Sequence, residues 1–248
     1  MSHIYGVSPV LEALRAGKRN IHRIIFARGG QPARLEEIRQ LARRIGVTCV
    51  EEPRERLNQL VANANHQGVI AVVAAANYAD PDDLLEAVTG IPLLVLLDQV
   101  EDPHNLGAIV RTAECSGAQG VFVTEHHAVG LTETVVKASA GATEHLPVAR
   151  VTNLSYFIER LKGRGIWVVG VEKGGSQRYT EWDFTTPTAI VLGSEGKGMR
   201  RLVREHCDLI VSIPLAGQIS SLNVSVAAGV VLYEAFRQRN FRRNEETI

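Results

Sequence analysis

Leu93-Leu94-Val95-Leu96-Leu97, entered from Pro92, is an unbroken apolar run of strand length. A strand with one wet face alternates polar and apolar residues; a continuous run has both faces covered, as in a parallel sheet layered between helices. Working outward, the same reading predicts strands at 121–124, 166–171, 188–192 and 209–213. Helical stretches fall between them at 106–116, 133–139, 154–161 and 200–206, and a helix over 221–239 closes the pattern. Strands alternating with helices imply a parallel, doubly wound α/β sheet. Upstream, a short helix near 10–14, a strand at 21–26, a helix at 35–45 and strands near 47–50 and 69–73 form a smaller α/β unit. Between the two, Ala74-Ala75-Ala76-Asn77-Tyr78-Ala79-Asp80-Pro81-Asp82-Asp83 combines small, acidic and proline residues and then opens a weak helix. The expected organisation is a first domain at 1–76, a linker at 77–90, a second domain at 91–240 and a polar tail at 241–248, disordered like many termini.

A 248-residue chain can bury two cores of this kind, and 45% hydrophobic with 22% charged residues is an ordinary globular composition. The net charge is zero, yet the stretch through Ala76 carries eleven Lys and Arg against six Asp and Glu. Arg15, Lys18, Arg19, Arg23, Arg28, Arg34, Arg39, Arg43 and Arg44 supply most of that excess. Such a field suits a polyanion, and equally a solvated helix face. Cys49, Cys115 and Cys207 are isolated and never paired as C-x-x-C, which argues against a disulfide framework or a zinc site and for a reducing compartment. The first residues lack a secretory pattern, and the longest apolar run, 91–97, is far below the ~20 residues of a membrane span, so a cytoplasmic protein is expected.

Ligands of open α/β sheets sit beyond the carboxyl ends of the strands. Three loops there stand out. In Asp98-Gln99-Val100-Glu101-Asp102-Pro103-His104-Asn105, continuing to Arg111, the strand turns through Asp-Pro into a helix on which Asn105 and Arg111 can meet one phosphate. In Gly193-Ser194-Glu195-Gly196-Lys197-Gly198, three glycines permit tight turns and close approach by a ligand, although the spacing matches neither a dinucleotide fingerprint nor a P-loop. In Ile213-Pro214-Leu215-Ala216-Gly217, followed by Ser220-Ser221-Leu222-Asn223, a polar run opens a small-residue helix whose backbone donors suit an anion or an adenine edge. Taken singly, each loop reads equally well as a capped strand-to-helix turn.

Together and in this order, the three segments closely resemble the motifs of the SpoU family of RNA ribose methyltransferases, in the SPOUT superfamily. The resemblance covers about 92–239. Ile4-Tyr5-Gly6-Val7 and His66-Gln67-Gly68-Val69 resemble the family's RNA substrate-binding domain, a ribosomal protein L30-like α/β unit. What this likeness implies is a catalytic domain tied in a trefoil knot, which periodicity could not reveal because true knots are exceptional. It also implies a homodimer, S-adenosylmethionine as cofactor, and methyl transfer to the 2′-hydroxyl of a guanosine in the peptidyl-transferase region of 23S ribosomal RNA. By the same likeness Gly193, Ile213 and Leu222, with Gly198, hold the cofactor, and Arg111 is the central catalytic residue.

A guanidinium is effectively always protonated, so Arg111 is a poor proton acceptor. The chemistry favours Arg111, oriented by Asn105, as a clamp on the phosphate beside the target ribose and a stabiliser of alkoxide charge. Glu195 can bond the ribose, the base or Arg111, and Ser221 and Asn223 can shape the substrate pocket. His104 and His66 are competing bases, and no metal cluster is visible. The rival readings are a methyltransferase of transfer RNA or of another ribosomal nucleotide, a resistance enzyme, a non-catalytic RNA-binding assembly protein and a nicotinamide-dependent dehydrogenase.

Overall fold

A computed structural model describes residues 2–29 and 32–241, with the side chains of Pro32 and Arg34 excepted, so most of the expected tail at 241–248 lies outside the described residues. The first elements are β1 (Ser2–Tyr5), α1 (Val7–Ala16), β2 (Ile21–Ala27), α2 (Pro32–Arg44), β3 (Thr48–Glu52), α3 (Arg54–Leu60) and β4 (Val69–Val73). After them come α4 (Pro81–Ala87), β5 (Leu93–Asp98), α5 (Pro103–Cys115), β6 (Gly120–Thr124), α6 (Glu133–Ala138) and β7 (Val148–Val151). The chain continues through α7 (Leu154–Gly163), β8 (Trp167–Val171), β9 (Gln177–Arg178), β10 (Thr188–Gly193), α8 (Arg201–His206), β11 (Leu209–Ser212) and α9 (Val224–Phe241).

These elements form two compact units, one of Met1–Asn77 with Gly130–His145, the other of Tyr78–Val129 with Leu146–Ile248. In the first unit a four-stranded sheet has the order β1-β4-β2-β3, antiparallel except for β2 with β3. Ile4, Val10, Ile24, Phe26, Ile38, Val69 and Ala71 build its core, and Val136 of α6 is buried among them. The segment 130–145, expected as part of the second domain, is thus bonded into the first unit. Glu133 accepts the His3 N–H at 2.6 Å, the Lys137 ammonium donates to Gln67, Arg19 pairs with the buried Glu144 at 2.7 Å, and His145 meets Glu12 at 2.8 Å.

In the second unit all seven strands are parallel, in the order β7-β6-β5-β10-β8-β11-β9. Every residue of β5 is buried, as the opening run requires. The stretch 77–90 departs from a plain linker: α4 lies within it, capped by Asp80, whose carboxylate accepts the Asp82 and Asp83 N–H groups, and Leu84 and Leu85 enter the second core. Chain order reverses between β5 and β10, and this is where a doubly wound sheet opens a crevice at its carboxyl edge. No helix among the described residues is long and apolar enough to cross a membrane.

Candidate active site

Gly193 at the end of β10 lies in register with Asp98 at the end of β5, so the glycine loop and the Asp-Pro turn leave the sheet side by side. The loop closes on itself: the Ser194 N–H donates to the Gly198 carbonyl at 3.1 Å and the Gly198 N–H returns to the Ser194 carbonyl at 2.9 Å. Gly196 and Gly198 adopt φ of 77° and 70°, a left-handed conformation that side chains rarely tolerate. A Cβ on Gly193 would collide with the backbone of Gly198 and Met199, so this glycine is demanded by the loop's own closure.

Carboxylates on both flanking strands secure the exit of the loop. Asp98, fully buried, accepts the Arg200 N–H at 2.7 Å and the guanidinium at 2.8 and 2.7 Å. Glu172, just after β8, accepts the Met199 N–H at 3.2 Å and pairs with Arg204 at 2.8 Å. Sequence reasoning overlooked both. A carboxylate ending a buried strand was the available signal, because such a charge requires a partner.

The three loops meet through side chains. Asn105 donates to Glu195 Oε1 at 3.0 Å, Asn223 donates to the Asn105 Oδ1 at 3.0 Å and to Glu195 Oε1, and the Val224 N–H reaches the same oxygen at 3.4 Å. The Asn223 Oδ1 in turn accepts the Ser225 and Val226 N–H groups, capping α9. Asn105, Glu195 and Asn223 are therefore one network.

Two clefts adjoin it. The larger, about 640 Å³, lies at the ends of β8, β10 and β11; it is lined by Gly193, Gly198, Ile213, Ser221, Leu222 and Asn223, together with Glu172 and Leu215. The smaller, about 360 Å³, is lined by Gln99, Glu101, Asp102, Asn105, His127 and Lys197. Ser194, Glu195, Lys197 and Val224 border both. Gln99 and His127 hold φ of 60° and 55°, left-handed values that a non-glycine residue keeps only where the surroundings enforce them.

Arg111 stands apart from this cluster. It is exposed on α5, borders neither cleft, and has no hydrogen bond to Asn105 among the described residues. Six residues along a helix separate two side chains by about 120° and ~9 Å, which sends Asn105 inward and Arg111 outward. The expectation that Asn105 orients Arg111 is corrected: Asn105 is committed to Glu195 and Asn223. His66 is likewise removed as a base. It is buried in the first unit, where its Nδ1 accepts the Gly68 N–H at 3.0 Å and its Nε2 lies 2.9 Å from the Asn58 Oδ1. Burial pushes its pKa down, with Arg54 and Lys137 adding to the shift.

Residues 92–233 match the SpoU rRNA methylase family, and residues 3–79 match the RNA 2′-O ribose methyltransferase substrate-binding family. The chain belongs to the SpoU methylase family. A putative TrmH family tRNA/rRNA methyltransferase of Bacillus subtilis, YacO, is 46% identical to it over 96% of both chains. The 23S rRNA (guanosine-2′-O-)-methyltransferase RlmB of Ralstonia nicotianae is 43% identical, again over 96% of both. Among solved structures, the SpoU methyltransferase AviRb of Streptomyces viridochromogenes, in complex with its cofactor AdoMet, superposes with a TM-score of 0.80 at 31% identity, covering 96% of this chain and 90% of that one. As a SpoU methylase, the chain is an S-adenosylmethionine-dependent RNA 2′-O-methyltransferase.

Proposed function

We propose that this SpoU methylase transfers the methyl group of S-adenosylmethionine to the ribose 2′-hydroxyl of a guanosine in 23S ribosomal RNA, working as a cytoplasmic homodimer. The observation that carries the reading is the pair of adjoining clefts that share Glu195 in their common wall. One is the size of a cofactor; the other is lined by polar side chains and suited to an extruded nucleotide.

The larger cleft fits S-adenosylmethionine. Ile213, Leu215 and Leu222 offer apolar surface to a purine, Gly193 and Gly198 keep the loop backbone within reach, and Glu172 supplies negative charge for a cationic ligand. The buried Ser194 hydroxyl, without a hydrogen-bond partner among the described residues, leaves a polar group in that wall for the ligand. When bound, the cofactor supplies a sulfonium-activated methyl. The protein's task is then alignment and management of the hydroxyl proton, and alignment alone is worth several kcal/mol.

Arg111 is assigned to the RNA, as a clamp on the phosphate next to the target ribose. The reading as a dimer is supported by α9, which presents Val226 and Tyr233 to solvent, each 51% exposed, beside the α5 helix that carries Arg111. The family's trefoil knot belongs to the same reading. The first unit is assigned to RNA recognition. There Arg15, Arg19 and Arg39 are spent on carboxylates, while Arg23, Arg28, Arg43 and Arg44 are exposed without an ion-pair partner among the described residues. Support for the guanosine comes from relatives named as guanosine 2′-O-methyltransferases of 23S rRNA, 43% and 44% identical over nearly their whole length.

The test is to map 2′-O-methyl marks in ribosomal and transfer RNA from cells lacking this protein. Loss of one guanosine mark in 23S RNA is the expected result; an unchanged 23S pattern, or loss confined to transfer RNA, overturns it. Arg111→Ala should abolish transfer while cofactor affinity stays near that of the wild type, as read by calorimetry. Near-normal turnover on saturating RNA would remove Arg111 from the chemistry.

A further inference from the structure

The network at the junction leaves one acceptor unused. Glu195 gathers the side-chain N–H donors of Asn105 and Asn223 and the backbone N–H of Val224 on a single oxygen, Oε1. Its Oε2 makes no hydrogen bond among the described residues. Glu195 stands on the wall common to both clefts, together with Ser194, Lys197 and Val224, and is the one carboxylate among these four.

Glu101, another carboxylate nearby, lines the smaller cleft only, and the remaining candidates are occupied or displaced. Asp102 caps α5 through the His104 N–H at 2.8 Å. His127 borders the smaller cleft only, and Arg111 borders neither. Lys197 reaches both, but an ammonium donates and cannot accept.

We propose that Glu195 Oε2 is the acceptor of the ribose 2′-hydroxyl proton, with Oε1 serving as the anchor that fixes the carboxylate between the clefts. This rests on the function proposed above and deepens it. The hydroxyl oxygen takes the methyl group as the sulfonium S–C bond breaks, leaving the neutral thioether S-adenosylhomocysteine; the hydroxyl proton goes to Oε2 and from there to water, and the carboxylate is regenerated for the next turnover. Two oxygens with different tasks explain why the group is a carboxylate: a hydroxyl or amide could anchor the loops, but neither could also receive a proton at this point.

Glu195→Gln separates the two tasks. The amide oxygen can still accept the three N–H donors at the Oε1 position, whereas the amide nitrogen facing the cleft can no longer accept a proton. General-base assistance is worth about 10²- to 10⁴-fold. The expected result is a fall in kcat of at least about 100-fold, with the calorimetric Kd for S-adenosylmethionine, the RNA KM and the thermal midpoint each close to wild type. A Gln variant that turns over within a few-fold of wild type overturns the proposal, because anchoring alone would then suffice. A fall in kcat matched by a comparable loss of cofactor affinity overturns it as well, because Glu195 would then be a structural anchor. Wild-type protein in the same assay on ribosomal RNA keeps the two levels apart: an inactive wild type indicts the proposed function, an active wild type beside an active Gln variant indicts only the role of Glu195.

Discussion

Removing the Asp98 carboxylate should loosen the glycine loop from its far end. Asp98 is fully buried and takes three N–H groups of Arg200, one from the backbone and two from the guanidinium. Breaking a wholly buried pair typically costs about 3–5 kcal/mol because a charge is stranded. Here the Arg200 side chain is 47% exposed, so its guanidinium can turn to water, and the lasting penalty is the orphaned Arg200 N–H, about 1–3 kcal/mol, with part of the lost charge-assisted bonding. Asp98→Ala should therefore destabilise the protein by about 2–3 kcal/mol. Asp98→Asn should cost less, since its oxygen can still serve the backbone N–H. If the freed loop holds its closed form only about a tenth of the time, cofactor affinity drops about tenfold. Urea unfolding followed by tryptophan fluorescence and calorimetry with S-adenosylmethionine measure the two effects. An Asp98→Ala protein with wild-type midpoint and wild-type Kd would refute the claim that this carboxylate holds the loop.

Three further substitutions probe other parts of the structure. Gly193→Ala places a methyl group against the Gly198 and Met199 backbone, so it should lower both thermal stability and cofactor affinity; calorimetry on folded protein checks this, and unchanged values would contradict the geometry. Arg239 donates to the carbonyls of Phe184, Ile91, Pro92 and Thr186 near the end of α9, and Arg239→Lys, which cannot fork between them, should cost about 2 kcal/mol in chemical unfolding. His66 has its pKa depressed by burial, so the folded state prefers the neutral ring. The associated stability is complete above about pH 6.5 and is lost as pH falls through the depressed value. Unfolding midpoints at pH 7.5 and pH 5 should accordingly fall less steeply in His66→Gln than in the wild type.

Five of the seven strands of the second sheet were legible because they are nearly pure apolar runs: β5, β6, β8, β10 and β11 fall within a residue or two of their expected places, whereas β7, with Arg150 in its middle, was not seen. The marginal elements were not legible either. β1 has four residues and β9 two, too short for periodicity to register, and α3 combines Arg, Glu, Asn and Gln around a single buried leucine, Leu57. At the site, Asn105, Glu195, Ser221 and Asn223 border the clefts because their motifs end parallel strands at one edge. The pairing of Asn105 with Glu195 was invisible, since it joins residues ninety positions apart. The expected orientation of Arg111 by Asn105 fails for a simpler reason: residues six apart on a helix do not share a face.

The first unit is discontinuous in sequence, and that ordering bears on how the chain is made. Its sheet is complete once Val73 has been synthesised, but Val136, which fills its core, and Glu144, which neutralises Arg19, come only after β5 and β6 have been laid down. During translation the early sheet must wait, with Ile4, Val10 and Phe26 incompletely covered, until residue 145 has left the ribosome. A fragment ending at Asn77 would be held permanently at that stage, and one beginning at Asp80 would carry α6 with Val136 bare. The gene therefore cannot be cut cleanly between its two family segments, however clear that boundary is in the linear sequence.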